Sequence, residues 1–170
     1  MEQAIISGIA HDGSQAKVTI EAVPDQPGIA ARIFRSLANE GANVDMIVQN
    51  VSAEGRTDVS FTLPKEDLPR VEPVLAHIAA DVGGKGFSTD AEIAKVSLVG
   101  AGMKTHPGVV ADMFDALAEA NINIEIISTS SIRVSCVVPG RDVERAVNVI
   151  HERLRLAENV LLQGDAESVA

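Results

Sequence analysis

Pro27-Gly-Ile-Ala-Ala-Arg-Ile-Phe-Arg-Ser-Leu-Ala-Asn-Glu-Gly-Ala-Asn-Val-Asp-Met-Ile-Val-Gln49 returns eighty residues later as Pro107-Gly-Val-Val-Ala-Asp-Met-Phe-Asp-Ala-Leu-Ala-Glu-Ala-Asn-Ile-Asn-Ile-Glu-Ile-Ile-Ser-Thr129. Of these 23 aligned positions 8 are identical, where chance gives about one or two, so the chain carries an internal duplication. The likeness continues in residue type on both sides. Lys17-Val-Thr-Ile20 stands beside Lys95-Val-Ser-Leu98, and Val59-Ser-Phe-Thr-Leu-Pro64 beside Val134-Ser-Cys-Val-Val-Pro139. Two copies of this length are too few for a solenoid, so each must nearly fold by itself.

Within a copy the hydrophobic period changes in a fixed order. Val18, Ile20 and Ala22 alternate with more polar positions, as a half-buried strand does. Ala30, Ile33, Phe34, Leu37 and Ala38 recur at three and four, an amphipathic helix that Gly41 ends. Val44, Met46 and Val48 share one strand face, and Val59, Phe61 and Leu63 another, across the turn-prone Ala53-Glu-Gly-Arg56. A second helix buries Val71, Val74, Leu75 and Ile78, and a strand near Lys85 to Ser88 closes the copy. The second copy repeats the order with Val110, Met113, Phe114 and Leu117, then Ile122, Ile124 and Ile126, then Val134, Cys136 and Val138, then Val143, Ala146, Val147 and Ile150.

The order βαββαβ predicts an α+β fold of two ferredoxin-like units, each four antiparallel strands with both helices on one face. Eight strands are needed, and the segments from residue 17 to the last helix supply seven. The opening Gln3-Ala-Ile-Ile-Ser-Gly-Ile9 is taken as the eighth, completing the second unit, so that the first is inserted into it. Asn159-Val-Leu-Leu-Gln163 is the competing candidate, in a stretch read as an acidic, frayed tail. The expected domains are 17–91, then 3–16 with 92–156, then a tail at 157–170.

Composition narrows the function. The chain has 170 residues, 46% hydrophobic and 22% charged, which is enough for a core without staples. A formal charge of −10, no Trp, no Tyr and 4 Phe argue against nucleic acid as a partner. The single cysteine fits a reducing compartment. No apolar run reaches the ~18 residues of a membrane span, and Met1-Glu-Gln-Ala4 lacks the basic start of a signal peptide. The expectation is a cytoplasmic protein without membrane contact.

The Pro-Gly entrance has two readings. Pro at a helix start loses no needed N–H, and Asp25 or Thr105 is expected to cap the free amides. Alternatively the same place receives a free amino acid. Its carboxylate takes the backbone N–H groups of Ile29 and Ala30, Gly28 allows close approach, and Asp25 holds the ammonium. Gln49 is placed for a polar side chain of the ligand. Thr105 stands in the second copy where Asp25 stands in the first, so the two entrances differ.

Asp25-Gln-Pro-Gly28, Gln49-Asn-Val-Ser52, Lys95-Val-Ser-Leu-Val-Gly-Ala-Gly-Met103, His106-Pro-Gly108 and Asn121-Ile-Asn-Ile-Glu-Ile-Ile-Ser-Thr-Ser130 closely resemble the tandem ACT region of aspartate kinase. More narrowly they resemble the separate regulatory β subunit family of two-subunit aspartate kinases, over about residues 3 to 156. The resemblance implies two ACT domains, the first inserted into the second, with no catalytic residue and no cofactor. It implies a non-catalytic allosteric subunit that binds threonine, with lysine in the complete enzyme, at ACT–ACT interfaces between chains. Feedback inhibition of the aspartate pathway, and so of lysine biosynthesis, would follow. The phosphotransferase acting on the aspartate carboxylate with ATP would lie on another chain, and the assembly would be a homodimer joined to a catalytic α subunit as α2β2. Carried over by position, the effector site is Asp25, Gln26, Pro27, Gly28, Ile29, Ala30 and Gln49, with Asn123 and Ile124 of a second copy. A second effector site or subunit contact is assigned to Ser52, Thr105, His106, Pro107 and Gly108. The link Ala53-Glu-Gly-Arg56 is short for the family.

Other readings carry less. An ACT-type sensor serving another enzyme is the alternative. Gly100-Ala-Gly-Met-Lys-Thr105, with Glu125 downstream, imitates a dinucleotide fingerprint but lacks its third glycine, and Met103 breaks a phosphate-loop pattern. Cys136 falls where Phe61 falls in the first copy and reads as a core thiol, not a nucleophile paired with His106. His11, His77, His106 and His151 have no ligand spacing, so no metal is implied. Glu144, Arg145, Glu152 and Arg153 read as a solvated helix face.

Overall fold

The computed structural model describes residues 5–51, 54–101 and 107–164. The elements are β1 (Ile5–Asp12), β2 (Gln15–Pro24), α1 (Ile29–Asn39), β3 (Ile47–Gln49), β4 (Arg56–Pro64), α2 (Leu68–Asp81), β5 (Gly86–Asp90), β6 (Ile93–Ala101), α3 (Pro107–Glu119), β7 (Ile126–Thr129), β8 (Arg133–Pro139) and α4 (Val143–Gly164). Ser14–Ile93 forms one compact unit, and β1 with the chain from Ala94 onward forms the other.

In the inserted unit the strands lie in the order β3-β4-β2-β5, all antiparallel. Alternation turns Val18, Ile20, Val59, Phe61 and Leu63 to one face, where Ile33 and Leu37 of α1 and Val71, Leu75 and Ile78 of α2 meet them. Phe61 is fully buried and takes Phe34 edge-on, ring centroids 5.5 Å apart. The split unit has the order β1-β6-β8-β7. Here β1 pairs antiparallel with β6, Asp12 opposite Lys95 and Ile6 opposite Gly100, so the first strand of the chain occupies the edge that β5 occupies in the other unit. Val96, Leu98, Met113, Leu117, Val134, Cys136 and Ile150 form its core. Burial of this kind contributes about 1.5 to 3 kcal/mol per large apolar side chain.

Residues 159–163, the competing eighth strand, lie within α4, which runs to Gly164. The sequence Val143-Glu-Arg-Ala-Val-Asn-Val-Ile150 starts the helix, and the segment after residue 157 continues it through residue 164. A helix satisfies its own carbonyls and N–H groups, whereas that stretch as a strand needs a partner edge already filled by β1. The strand expected over Val44, Met46 and Val48 is also shorter than its pattern. Before Ile47 the chain still follows β4, through Asp45 N–H to Thr62 O and Thr62 N–H to Met46 O, each 3.0 Å. The Met46 N–H turns instead to the Thr62 hydroxyl at 3.1 Å, which interrupts the regular ladder.

Three helices end in the same way. Gly41 N–H bonds Ala38 O at 2.9 Å and Ala42 N–H bonds Leu37 O at 3.0 Å. Gly83 and Gly84 repeat this on Ala80 and Ala79, and Asn121 and Ile122 on Ala118 and Leu117. Each motif needs one residue in the left-handed region, supplied by Gly41 (φ 70°), Gly83 (φ 74°) and Asn121 (φ 55°).

Candidate functional site

After β2 the chain leaves the sheet at Pro24 and enters α1 through an open loop. Asp25, Gln26, Pro27 and Gly28 are exposed, and Ile29 turns its side chain into the core. Gly28 precedes the helix with φ 93°, and nothing lies within 4 Å of where its Cβ would be. A side chain there would be strained whatever the space, so glycine is what the turn requires. The first intrahelical bond is Arg32 N–H to Gly28 O at 3.0 Å. The amides of Ala30 and Ala31 therefore stand outside the i→i−4 ladder, and no side chain caps them.

That last point corrects an expectation. Asp25 does not cap α1, because Pro27 and Gly28 separate it from the first turn and the residue in the capping place has no side chain. Its own N–H is fastened to Gly55 O at 2.9 Å, while Ile29 N–H reaches Gln26 O at 3.4 Å. Pro27 lies in the turn before the helix, whereas Pro107 opens α3.

Gln49 is exposed at the end of the edge strand β3, opposite Val59. The inserted unit thus holds Asp25 to Ala30 and Gln49 on elements fastened to the same strand, β4. Asn123 is exposed and Ile124 half-buried on the segment leading into β7 of the split unit. Gly108 lies in the first turn of α3 and is exposed. Ser52, Thr105 and His106 lie outside the described residues. Edge strands β3 and β7 expose Ile47 and Ile127, which occupy matching positions of the duplication. Cys136 is fully buried, and desolvation pushes its thiol up to about 12, which keeps it protonated and inert at neutral pH.

The sequence reading missed four residues. Ala22 adopts φ 47° where β2 slips register against β4, between Ile20 and Val23. Asp58 Oδ1 accepts the Ala22 N–H at 2.8 Å, and Arg56 Nη1 donates to Ala22 O at 2.6 Å. The Thr57 hydroxyl donates to Asn50 O, next to Gln49. No sequence signal marks them: Gly100, which aligns with Ala22, is not among the positive-φ glycines, so the second copy does not announce the bulge of the first.

Residues 18–77 and 96–154 each match the ACT domain family. Together they span well over half of the chain, which belongs to the ACT domain family. Its tandem arrangement is that of the aspartokinase regulatory subunit. It is 40% identical to a chain in a structure of aspartokinase alpha and beta subunits, covering 88% of this chain and 99% of that one, with a TM-score of 0.83. The ligand-free regulatory subunit of aspartate kinase from Thermus thermophilus is 40% identical, covering 88% and 98%, with a TM-score of 0.78. An aspartokinase of Mycolicibacterium smegmatis is 44% identical over 171 residues, covering 99% of this chain and 39% of the relative. The chain thus spans well under half the length of that aspartokinase. Among the described residues no helix is long and apolar enough to cross a membrane.

Proposed function

We propose that this chain is the non-catalytic, feedback-sensing part of aspartate kinase and that threonine is its effector. The observation that carries the reading is the uncapped first turn of α1 behind Gly28, preceded three residues earlier in the same loop by the exposed Asp25. An α-amino acid presents a carboxylate and an ammonium a few ångströms apart. Helix amides favour the first and a carboxylate the second. In this reading the effector carboxylate takes the Gly28 and Ala30 amides and displaces the long 3.4 Å bond of Ile29 N–H to Gln26 O, while Asp25 holds the ammonium and Gln49 the side-chain hydroxyl. Asn123 and Ile124 of a second copy close the site. The exposed Ile47 and Ile127 on open sheet edges suit contact between chains. Ser52, Thr105, His106, Pro107 and Gly108 are assigned to a second effector site or subunit contact, with lysine or with the catalytic subunit.

The mechanism is linkage. An effector held by two chains stabilises the arrangement that brings both halves together, and couplings of about 1 to 3 kcal/mol suffice to pass that preference to a catalytic partner. No group of this chain takes part in phosphoryl transfer, and the kinase chain performs it with ATP on the aspartate carboxylate. The assay combines a catalytic aspartate kinase chain, ATP and aspartate, with and without this chain. Threonine lowers the rate only when this chain is present. Inhibition that is equal in its absence, or none in its presence, rules the reading out.

A further inference from the structure

We propose that Arg56, Thr57 and Asp58 are positioning residues of the effector site, an inference that rests on the amino-acid-binding reading above. Gly55, just before β4, and the first three residues of that strand each hold one point of its walls. Gly55 O takes the Asp25 N–H at 2.9 Å. Arg56 donates to Ala22 O at 2.6 Å and to Gly83 O at 3.0 and 3.2 Å, tying the bulge of β2 to the end of α2. Thr57, buried, fixes Asn50 O. Asp58 takes the Ala22 N–H at 2.8 Å.

The geometry explains why such a bracket is needed. Ala22 is an alanine in the left-handed region, a conformation that persists only where its surroundings impose it. Asp58 and Arg56 grip both its polar atoms, so the direction in which Pro24 and Asp25 leave the sheet is set by those two side chains. On the other side the turn after α2 closes tightly. A Cβ on Gly84 would meet Glu21 O at 3.0 Å, and Lys85 N–H bonds the same oxygen at 2.8 Å. The ammonium acceptor on the loop and Gln49 on β3 are thereby held to a common strand.

The second copy supplies the control. Aligned on Val59 and Val134, its residues at these places are Ser130, Ser131, Ile132 and Arg133. Side chains able to make the Arg56, Thr57 and Asp58 contacts are absent there, and the backbone differs accordingly. Gly100 N–H, at the place of Ala22, bonds Ile132 O at 2.9 Å, and Ser130 N–H bonds Arg133 O at 2.7 Å. Bracket and acid occur together in one copy and are missing together from the other. A bracket that served only the fold would be needed equally by both units.

The test is a calorimetric titration of the 170-residue chain with threonine, well below the melting temperature, alongside amide hydrogen exchange. Asp58→Ala lets the loop leave its binding geometry, and with about one tenth of molecules competent the affinity falls about tenfold. Exchange at Ala22 and Asp25 quickens in the same variant. Asp58→Asn keeps the acceptor oxygen and retains the affinity. Ala22→Gly added to Asp58→Ala recovers part of the loss, because glycine adopts the bulge without support. Arg56→Ala, tested separately, lowers affinity in the same direction. Wild-type affinity in a folded Asp58→Ala or Arg56→Ala overturns the proposal while leaving the effector reading intact. A wild type silent to threonine and other amino acids overturns that reading, and this proposal with it.

Discussion

The hydroxyl oxygens of Ser97 and Ser135 lie 2.7 Å apart, joining β6 to β8 on the sheet face away from the core of the split unit, and both residues are buried. Thr19 and Ser60 make the same pair at 2.8 Å in the inserted unit, at the matching positions of β2 and β4, and are only partly buried. One hydroxyl must donate and the other accept, so each satisfies its partner.

Ser135→Ala leaves the buried Ser97 hydroxyl without its partner and is expected to cost about 1 to 3 kcal/mol. Ser97→Ala should behave alike. The double variant removes both polar groups and should lose less than the sum, a coupling that a urea-unfolding cycle reads directly. The same cycle on Thr19 and Ser60 should give smaller values, because water reaches the survivor. Additive losses at Ser97 and Ser135 would show that the pair is not an energetic unit.

Gly41 and Asn121 perform one task with different residues. Both stand just past the end of a duplicated helix in the left-handed region. Gly41→Ala, with φ 70° and the Arg70 guanidinium 3.5 Å from the new Cβ, is expected to lose about 1 kcal/mol or more. Asn121→Gly should be neutral or stabilising by a few tenths of a kcal/mol. Equal effects of opposite substitutions, measured as shifts in urea midpoint at constant slope, would contradict the shared geometry.

Those two residues also show where the sequence is legible. Gly41 announces its helix end, and the duplication lends the same end to Asn121, whose identity alone is ambiguous. The period-two pattern places Val59, Phe61 and Leu63 in the core. It says nothing of Thr62, Ser97, Ser135 and Val137, which are also buried although they alternate to the opposite face. At the candidate site, Pro-Gly and Asp25 stand out because their residue types are chosen for turns and charge. Arg56 and Asp58 do not, since an Arg and an Asp at a strand start read as ordinary solvated charges until the register brings Ala22 against them. Nor does an alanine signal a left-handed backbone. Local chemistry is written in one stretch, and contacts across a bulge are written in two.

Cys136 sits where the inserted unit has Phe61, and its burial raises the thiol from an ordinary 9.0 to about 12. Native protein should therefore resist thiol reagents at pH 8 and react only on unfolding. Between pH 9.0 and about 12 the unfolded thiol ionises while the folded one keeps its proton. The unfolded state then binds fewer protons, and this group's contribution to stability, complete below that window, declines by about 1.4 kcal/mol per pH unit as pH rises. Comparing the pH slopes of wild type and Cys136→Ala isolates the effect, and identical slopes would remove Cys136 as its source.

Asp25 gives the most direct readout of the proposed effector. A ligand that binds only the folded state, at a hundred times its dissociation constant, adds about 2.7 kcal/mol. For a chain of this length that is a rise in melting temperature of about 5 to 10 °C. Threonine should produce such a rise in the wild type and none in Asp25→Ala. The substitution removes the carboxylate but keeps the Asp25 N–H that bonds Gly55 O, so the loop retains its anchor and the ligand-free melting temperature should barely move. Asp25→Asn preserves an acceptor without the charge and should give an intermediate rise, since hydrogen bonds to a charged acceptor are roughly twice as strong as those to a neutral one. A full rise in Asp25→Ala would show that the ammonium is held elsewhere, and the acid before the first Pro-Gly would then have no part in telling the two entrances apart.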